Sequence, residues 1–154
     1  MLTNYVFLPQ PRACEIQPGE FSFDPQGVVL TEMSSIYSAH QILTDIKGYY
    51  GFDWHVTATQ PNGDGPSKIQ LILDPDLQTH PQGYQLSITP HQILIKGSDA
   101  AGLFYGVQTL RQMIFQSPGK KLPCMEIKDW PDFLNRGVML DISRDKVYRM
   151  DTLK

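Results

Sequence analysis

Residues 84–115 read YQLSITPHQILIKGSDAAGLFYGVQTLRQMIF, and the rhythm of this stretch changes halfway. In its first half Leu86 and Ile88 alternate with polar neighbours, Ile93 and Ile95 lie two apart on one face of the next run, and Pro90-His91 stands between them. That is the period of two expected of an antiparallel hairpin with one face buried. From Ser98 onward the period becomes 3.6: Leu103, Val107, Leu110 and Ile114 form one stripe, and Ser98 or Asp99 is the natural N-cap. Gly102 and Gly106 lie four apart on one face of that helix, each costing about 1 kcal/mol relative to alanine. A penalty of this size calls for a close approach of the helix backbone to a sheet or a neighbouring helix.

Outward from this stretch, the first thirty residues break into short β-type runs at 5–8, 13–16, 21–23 and 28–30, separated by Pro9, Pro11, Pro18-Gly19, Pro25 and Gly27. Ile36, Ala39, Leu43, Ile46 and Tyr50 mark a second amphipathic helix, opened by Ser34 or Ser35 and stopped by Gly48 or Gly51. Residues 54–58 and 68–73 return to strand patterning on either side of a polar loop, QPNGDGPS. Beyond the long helix come a short strand at 124–127 and the junction Asp129-Trp130-Pro131. Residues 136–144 form a run with the pattern of a buried strand, and residues 150–154 begin a helix capped by Asp151. Strand, polar loop and helix start are the opening of a βα unit.

The 154 residues suffice for one domain but not for a whole (β/α)₈ barrel, which needs roughly 250. Thirteen basic and sixteen acidic residues give a net charge of −3 without a basic stripe, which argues against a nucleic-acid partner. No apolar run approaches the ~20 residues of a membrane span, and residues 1–12 lack the pattern of a secretory leader, so the compartment stays open with the cytoplasm slightly favoured. Cys14 and Cys124 are too few and too far apart for a disulfide scaffold or a metal site. His40, His55, His80 and His91 sit on different elements without a ligand-pair spacing, so no metal or other cofactor is expected. Residues 63–68 depart from the phosphate-loop pattern, and no G-x-S-x-G is present. Asp141 and Arg144 follow the last strand-like run, where a barrel would place active-site groups. Spacing alone leaves two readings for this pair, a surface ion pair or a guanidinium fork that holds two sugar hydroxyls.

Two stretches carry a resemblance. Residues 129–144, DWPDFLNRGVMLDISR, resemble the "R-G-x-x-L-D-x-S-R" start of the catalytic barrel of glycoside hydrolase family 20, the β-N-acetylhexosaminidases. Residues 102–110, GLFYGVQTL, are similar to that family's "G-x-x-Y-G-x-x-T-L" helix. The resemblance implies an α+β, zincin-like N-terminal domain over residues 1–128, a mixed or antiparallel sheet with two helices packed on one face. The truncated first βα unit of a (β/α)₈ barrel follows over residues 129–154. It further implies a parent enzyme that removes terminal N-acetylglucosamine or N-acetylgalactosamine from glycans with retention, through the substrate's own acetamido group, an Asp-Glu pair assisting. Arg144 matches the arginine that holds ring hydroxyls, and Asp141 matches the motif aspartate as support for the loop. No adjacent Asp-Glu pair occurs in these residues. The expectation is therefore an N-terminal piece of a hexosaminidase, inactive alone, with the barrel as its intramolecular partner and an apolar patch where the barrel rests. The alternative is a non-catalytic carbohydrate-binding or scaffolding module, favoured if Tyr49, Tyr50 and Trp54 form an exposed aromatic platform.

Overall fold

In the computed structural model, residues 5–58, 67–77, 80–139, 147 and 149–153 are described. Seven strands form one mixed sheet: β1 Ala13–Ser22, β2 Val28–Leu30, β3 His55–Thr57, β4 Ser67–Leu73, β5 Tyr84–Ile88, β6 Ile93–Gly97 and β7 Lys121–Asp129. Their spatial order is β1-β7-β5-β6-β4-β2-β3. The first three pairings (β1 with β7, β7 with β5, β5 with β6) are antiparallel, and the remaining three are parallel. Two helices, α1 Ile36–Asp45 and α2 Ala100–Phe115, pack against the sheet, and a single turn, α3 Met150–Leu153, lies near the C-terminus.

The hairpin and α2 form as their periods require. Leu86 opposes Ile95 and Ile88 opposes Ile93, and all four are buried beneath α2 together with Tyr84. Burial of each such side chain contributes about 1.5–3 kcal/mol. Asp99 caps α2: its Oδ1 accepts the Gly102 N–H at 2.8 Å and its Oδ2 accepts the Gln82 N–H at 2.8 Å, so one carboxylate closes the helix start and ties down the loop before β5. The glycine pair has the reason its cost demanded. A Cβ on Gly102 would lie 2.2 Å from the Gly83 carbonyl oxygen, and one on Gly106 would lie 2.6 Å from Ile95 Cγ2. The backbone of α2 therefore rests directly on the hairpin.

Helix α1 ends differently from a plain α-helix. After Asp45 the chain widens into a π-turn, Ile46–Tyr50, and stops at Gly51, whose φ of 74° places it in the left-handed region. Ile46 and Tyr50 enter the core as Tyr49 turns outward. Trp54 lies flat against Gly27, where a Cβ would sit 2.4 Å from its ring, and donates its Nε1–H to the Asp24 carbonyl at 2.9 Å.

Four expectations need correction. The runs at 13–16 and 21–23 belong to one ten-residue strand, because Pro18-Gly19 forms a bulge within β1 rather than a break. The short strand at 124–127 is the middle of the nine-residue β7; Pro123 is tolerated because β5 pairs only with residues 125–129, leaving Pro123 with a neighbour on one side. Residues 5–8 join no strand, since their hydrogen-bond partners are the side chains of Gln112 on α2 and of Gln116 and Ser117 just after it. The strand expected over 136–144 is absent from its described part, residues 136–139, where no neighbouring strand pairs with it, and Val138 and Met139 are 88% and 93% exposed. Its remainder lies outside the described residues.

Candidate functional site

The described residues converge on the outer side of α2. There a cavity of about 650 Å³ opens between the helix, the segment leading into β1 and the segment leaving β7. Three sets of polar contacts surround this side of the helix; the first and third border the cavity, and the second touches it only through Gln108.

The first fixes the incoming segment. Gln112 Oε1 accepts the Leu8 N–H at 2.9 Å and its Nε2 donates to the Leu8 carbonyl at 3.2 Å; Gln116 does the same for Val6, with both contacts at 2.9 Å. Four helical residues rise ~6 Å, and two extended residues span ~6.6 Å, so two glutamines one turn apart match alternate peptide groups of an extended chain. Each side-chain amide replaces a neighbouring strand. Tyr5 completes the attachment with its hydroxyl on Ser117 Oγ.

The second set joins the helices. Arg111 donates Nε to Asp45 Oδ2 at 2.5 Å and Nη2 to Oδ1 at 3.2 Å, with Gln41 and Gln108 accepting from Nη1 at 3.3 and 3.0 Å. Hydrogen bonding to Asp45 holds the guanidinium above its ordinary pKa.

The third set holds the outgoing segment. Arg12 pairs with Asp132, donates Nε to the Trp130 carbonyl at 3.0 Å, and stands 4.9 Å from the centre of the Trp130 ring. The Arg12 backbone N–H reaches Asp129 Oδ1 at 3.3 Å. Burial raises the Asp129 carboxyl above the usual aspartate range, and the Arg12 contacts oppose that shift. His80 packs edge-on against Trp130 at 4.7 Å. Six residues after Trp130, Arg136 donates Nη2 to the Tyr105 hydroxyl at 2.7 Å and to Gln82 Oε1 at 3.3 Å, lies 5.1 Å from the Tyr105 ring centre, and donates Nη1 to the Phe133 carbonyl. Gln82 Nε2 donates to the Leu134 carbonyl at 3.1 Å. An exposed cation–π contact contributes about 0.5–1 kcal/mol.

This chemistry is that of docking. The two carboxylates of the cavity, Asp129 and Asp132, are both engaged by Arg12. Buried Tyr84 shares its hydroxyl with Thr109 at 2.6 Å, and burial pushes its pKa upward. Among the described residues no group of three or more His, Cys, Asp or Glu side chains is placed to hold a metal ion. Asp141 and Arg144 lie outside the described residues, so neither joins this constellation. The aromatic platform is not formed: Trp54 and Tyr50 are core residues, 7% and 4% exposed, and Tyr49 alone is open, meeting Phe115 edge-on at 5.6 Å. Cys14 is exposed and Cys124 buried, and neither forms a disulfide.

Sequence reasoning assigned no role to Arg12, Gln82, Tyr105 or Arg136. Tyr105 and Arg136 stand inside the two quoted motifs, which was the available signal. Arg12 is an isolated cation between Pro11 and β1, with no local pattern to mark it.

The sequence and the fold have relatives. The family model "Glycosyl hydrolase family 20, domain 2" matches residues 4–130. A β-N-acetylhexosaminidase of Cellulomonas fimi is 33% identical over 94 residues, covering 60% of this chain and 19% of the relative. The N,N'-diacetylchitobiase of Vibrio harveyi is 42% identical over 62 residues, covering 40% of this chain and 7% of the relative. Among solved structures, the β-N-acetylhexosaminidase of Bacteroides fragilis superimposes with a TM-score of 0.64 at 25% identity, over 84% of this chain and 25% of that one. The chain thus spans a quarter or less of the length of these three relatives.

Proposed function

The chain belongs to glycosyl hydrolase family 20, and from that premise we propose that residues 1–128 are the zincin-like, non-catalytic domain that precedes the barrel of a β-N-acetylhexosaminidase. Residues 129–154 are then the first βα unit of that barrel. The parent enzyme hydrolyses terminal N-acetylglucosamine or N-acetylgalactosamine residues of glycans with retention, through the substrate's acetamido group. In it Arg144 holds ring hydroxyls of the terminal sugar and Asp141 supports the loop. The domain itself is inactive and serves to pack against the barrel and stabilise it.

One observation carries this reading. Val138 and Met139 stand exposed in a stretch whose pattern is that of a buried strand, and Phe133 just before it is 74% exposed. Tyr49, Phe115 and Leu8 are exposed as well. Apolar side chains left open in this way call for a covering surface, and a barrel continuing from the outgoing segment would supply one for residues 133–139.

The test has two arms. The purified 154-residue chain is expected to release no nitrophenol from p-nitrophenyl N-acetylglucosaminide. The same chain continued through its own downstream reading frame is expected to release it, and to lose stability when residues 1–128 are deleted. Enzyme-like turnover by the 154 residues alone, or a downstream frame without an Asp-Glu pair on a strand, overturns the proposal.

A further inference from the structure

The segment leaving β7 is held at two separate points, and two points fix a direction where one would leave a pivot. The first is at Trp130 to Asp132, where Arg12 contributes an ion pair, a carbonyl hydrogen bond and a ring contact. The second is at Phe133 to Arg136, where the guanidinium returns to Tyr105 on α2 and to Gln82, and Gln82 in turn donates to the Leu134 carbonyl. Within the first point the backbone has few soft torsions. Pro131 fixes its own φ and keeps Trp130 out of helical geometry.

We infer that residues 129–136 form a rigid strut, and that Arg12, Trp130, Tyr105 and Arg136 are positioning residues that set the direction in which the chain leaves the domain. The two stretches that carry the family resemblance are, on this reading, two halves of one contact: Tyr105 of the helix motif receives Arg136 of the strand motif at 2.7 Å. Both arginines use what lysine lacks, a planar fork that stacks on an aromatic ring and donates in several directions at once. The clamps do not depend on the glycosidase reading. Only their purpose, holding a barrel in one orientation, rests on it.

The test is ¹⁵N relaxation on the 154-residue chain, compared with Arg12→Lys, Arg136→Lys and the double variant. Backbone order parameters for residues 132–136 are expected near the rigid value of about 0.85 in the natural chain and below about 0.6 in the double variant. Those of α2 and β5 should stay unchanged. Tyr105→Phe, which keeps the ring and removes the hydroxyl, should fall between. Chymotrypsin should cut after Phe133 or Leu134 at least tenfold faster in the double variant. Order parameters already low in the natural chain, or unchanged in the double variant, overturn the strut. Neither outcome bears on nitrophenol release, so the two readings fail separately.

Discussion

The two faces of α2 make contact in opposite ways. Toward the sheet, Gly102 and Gly106 touch by having no side chain, and the helix sits at backbone distance from the hairpin. Toward the outside, Tyr105, Arg111, Gln112 and Gln116 touch by reaching, each spanning a gap to bond a segment far away in sequence. The inner contact is dense, apolar and intolerant of an added methyl group. The outer one is polar and sharply directional, and its loss frees a segment without emptying the core.

That contrast can be broken most forcefully at Gly102. Gly102→Ala gains about 1 kcal/mol of helix propensity, but its Cβ meets the Gly83 carbonyl oxygen at 2.2 Å and the backbone must move. A net loss of about 2–3 kcal/mol is expected from urea denaturation. Gly48→Ala, where nothing lies within 4 Å and φ is not positive, should instead leave stability equal or raise it by about 0.5–1 kcal/mol. Equal effects at the two glycines would remove the distinction.

Asp45→Ala comes next, since it strips Arg111 of its two strongest contacts at the junction of α1 and α2. About 1–2 kcal/mol should be lost by the same measurement, below the full cost of breaking a deeply buried pair because the Arg111 side chain is 31% exposed.

The smallest global effect is expected at the glutamines. Gln112→Leu removes both hydrogen bonds to Leu8, for about 1 kcal/mol. Amide exchange should quicken at Leu8 while that of Ile95 and Leu110 stays slow, and uniform quickening would place Gln112 in the same cooperative unit as the core.

The inner face of α2 was legible in the sequence because it depends on near neighbours. The period of Leu103, Val107, Leu110 and Ile114, the glycine spacing and the Asp99 cap are all local signals, and the hairpin register follows from alternation. The outer face was not legible. A glutamine on the polar side of a helix carries no mark of the peptide group it will bond, and Gln112 meets Leu8 across 104 positions. The same blindness explains residues 5–8, whose β-type composition suggested a strand while their partners are the side chains of Gln112, Gln116 and Ser117. In residues 136–139 the pattern indicated burial, and the described residues are exposed. Asp141 and Arg144 stay where the sequence left them, outside the described residues.

The bulge in β1 has one more consequence. A ten-residue strand at the end of a sheet is a ready template for unrelated chains to pair with. Here register is lost between Ile16 and Glu20, Pro18 offers no N–H, and Gly19 turns through a φ of 110°. The border is thereby cut into two short runs, and the opposite border, β3, is only three residues long. Both margins of the sheet are therefore poor seeds for aggregation.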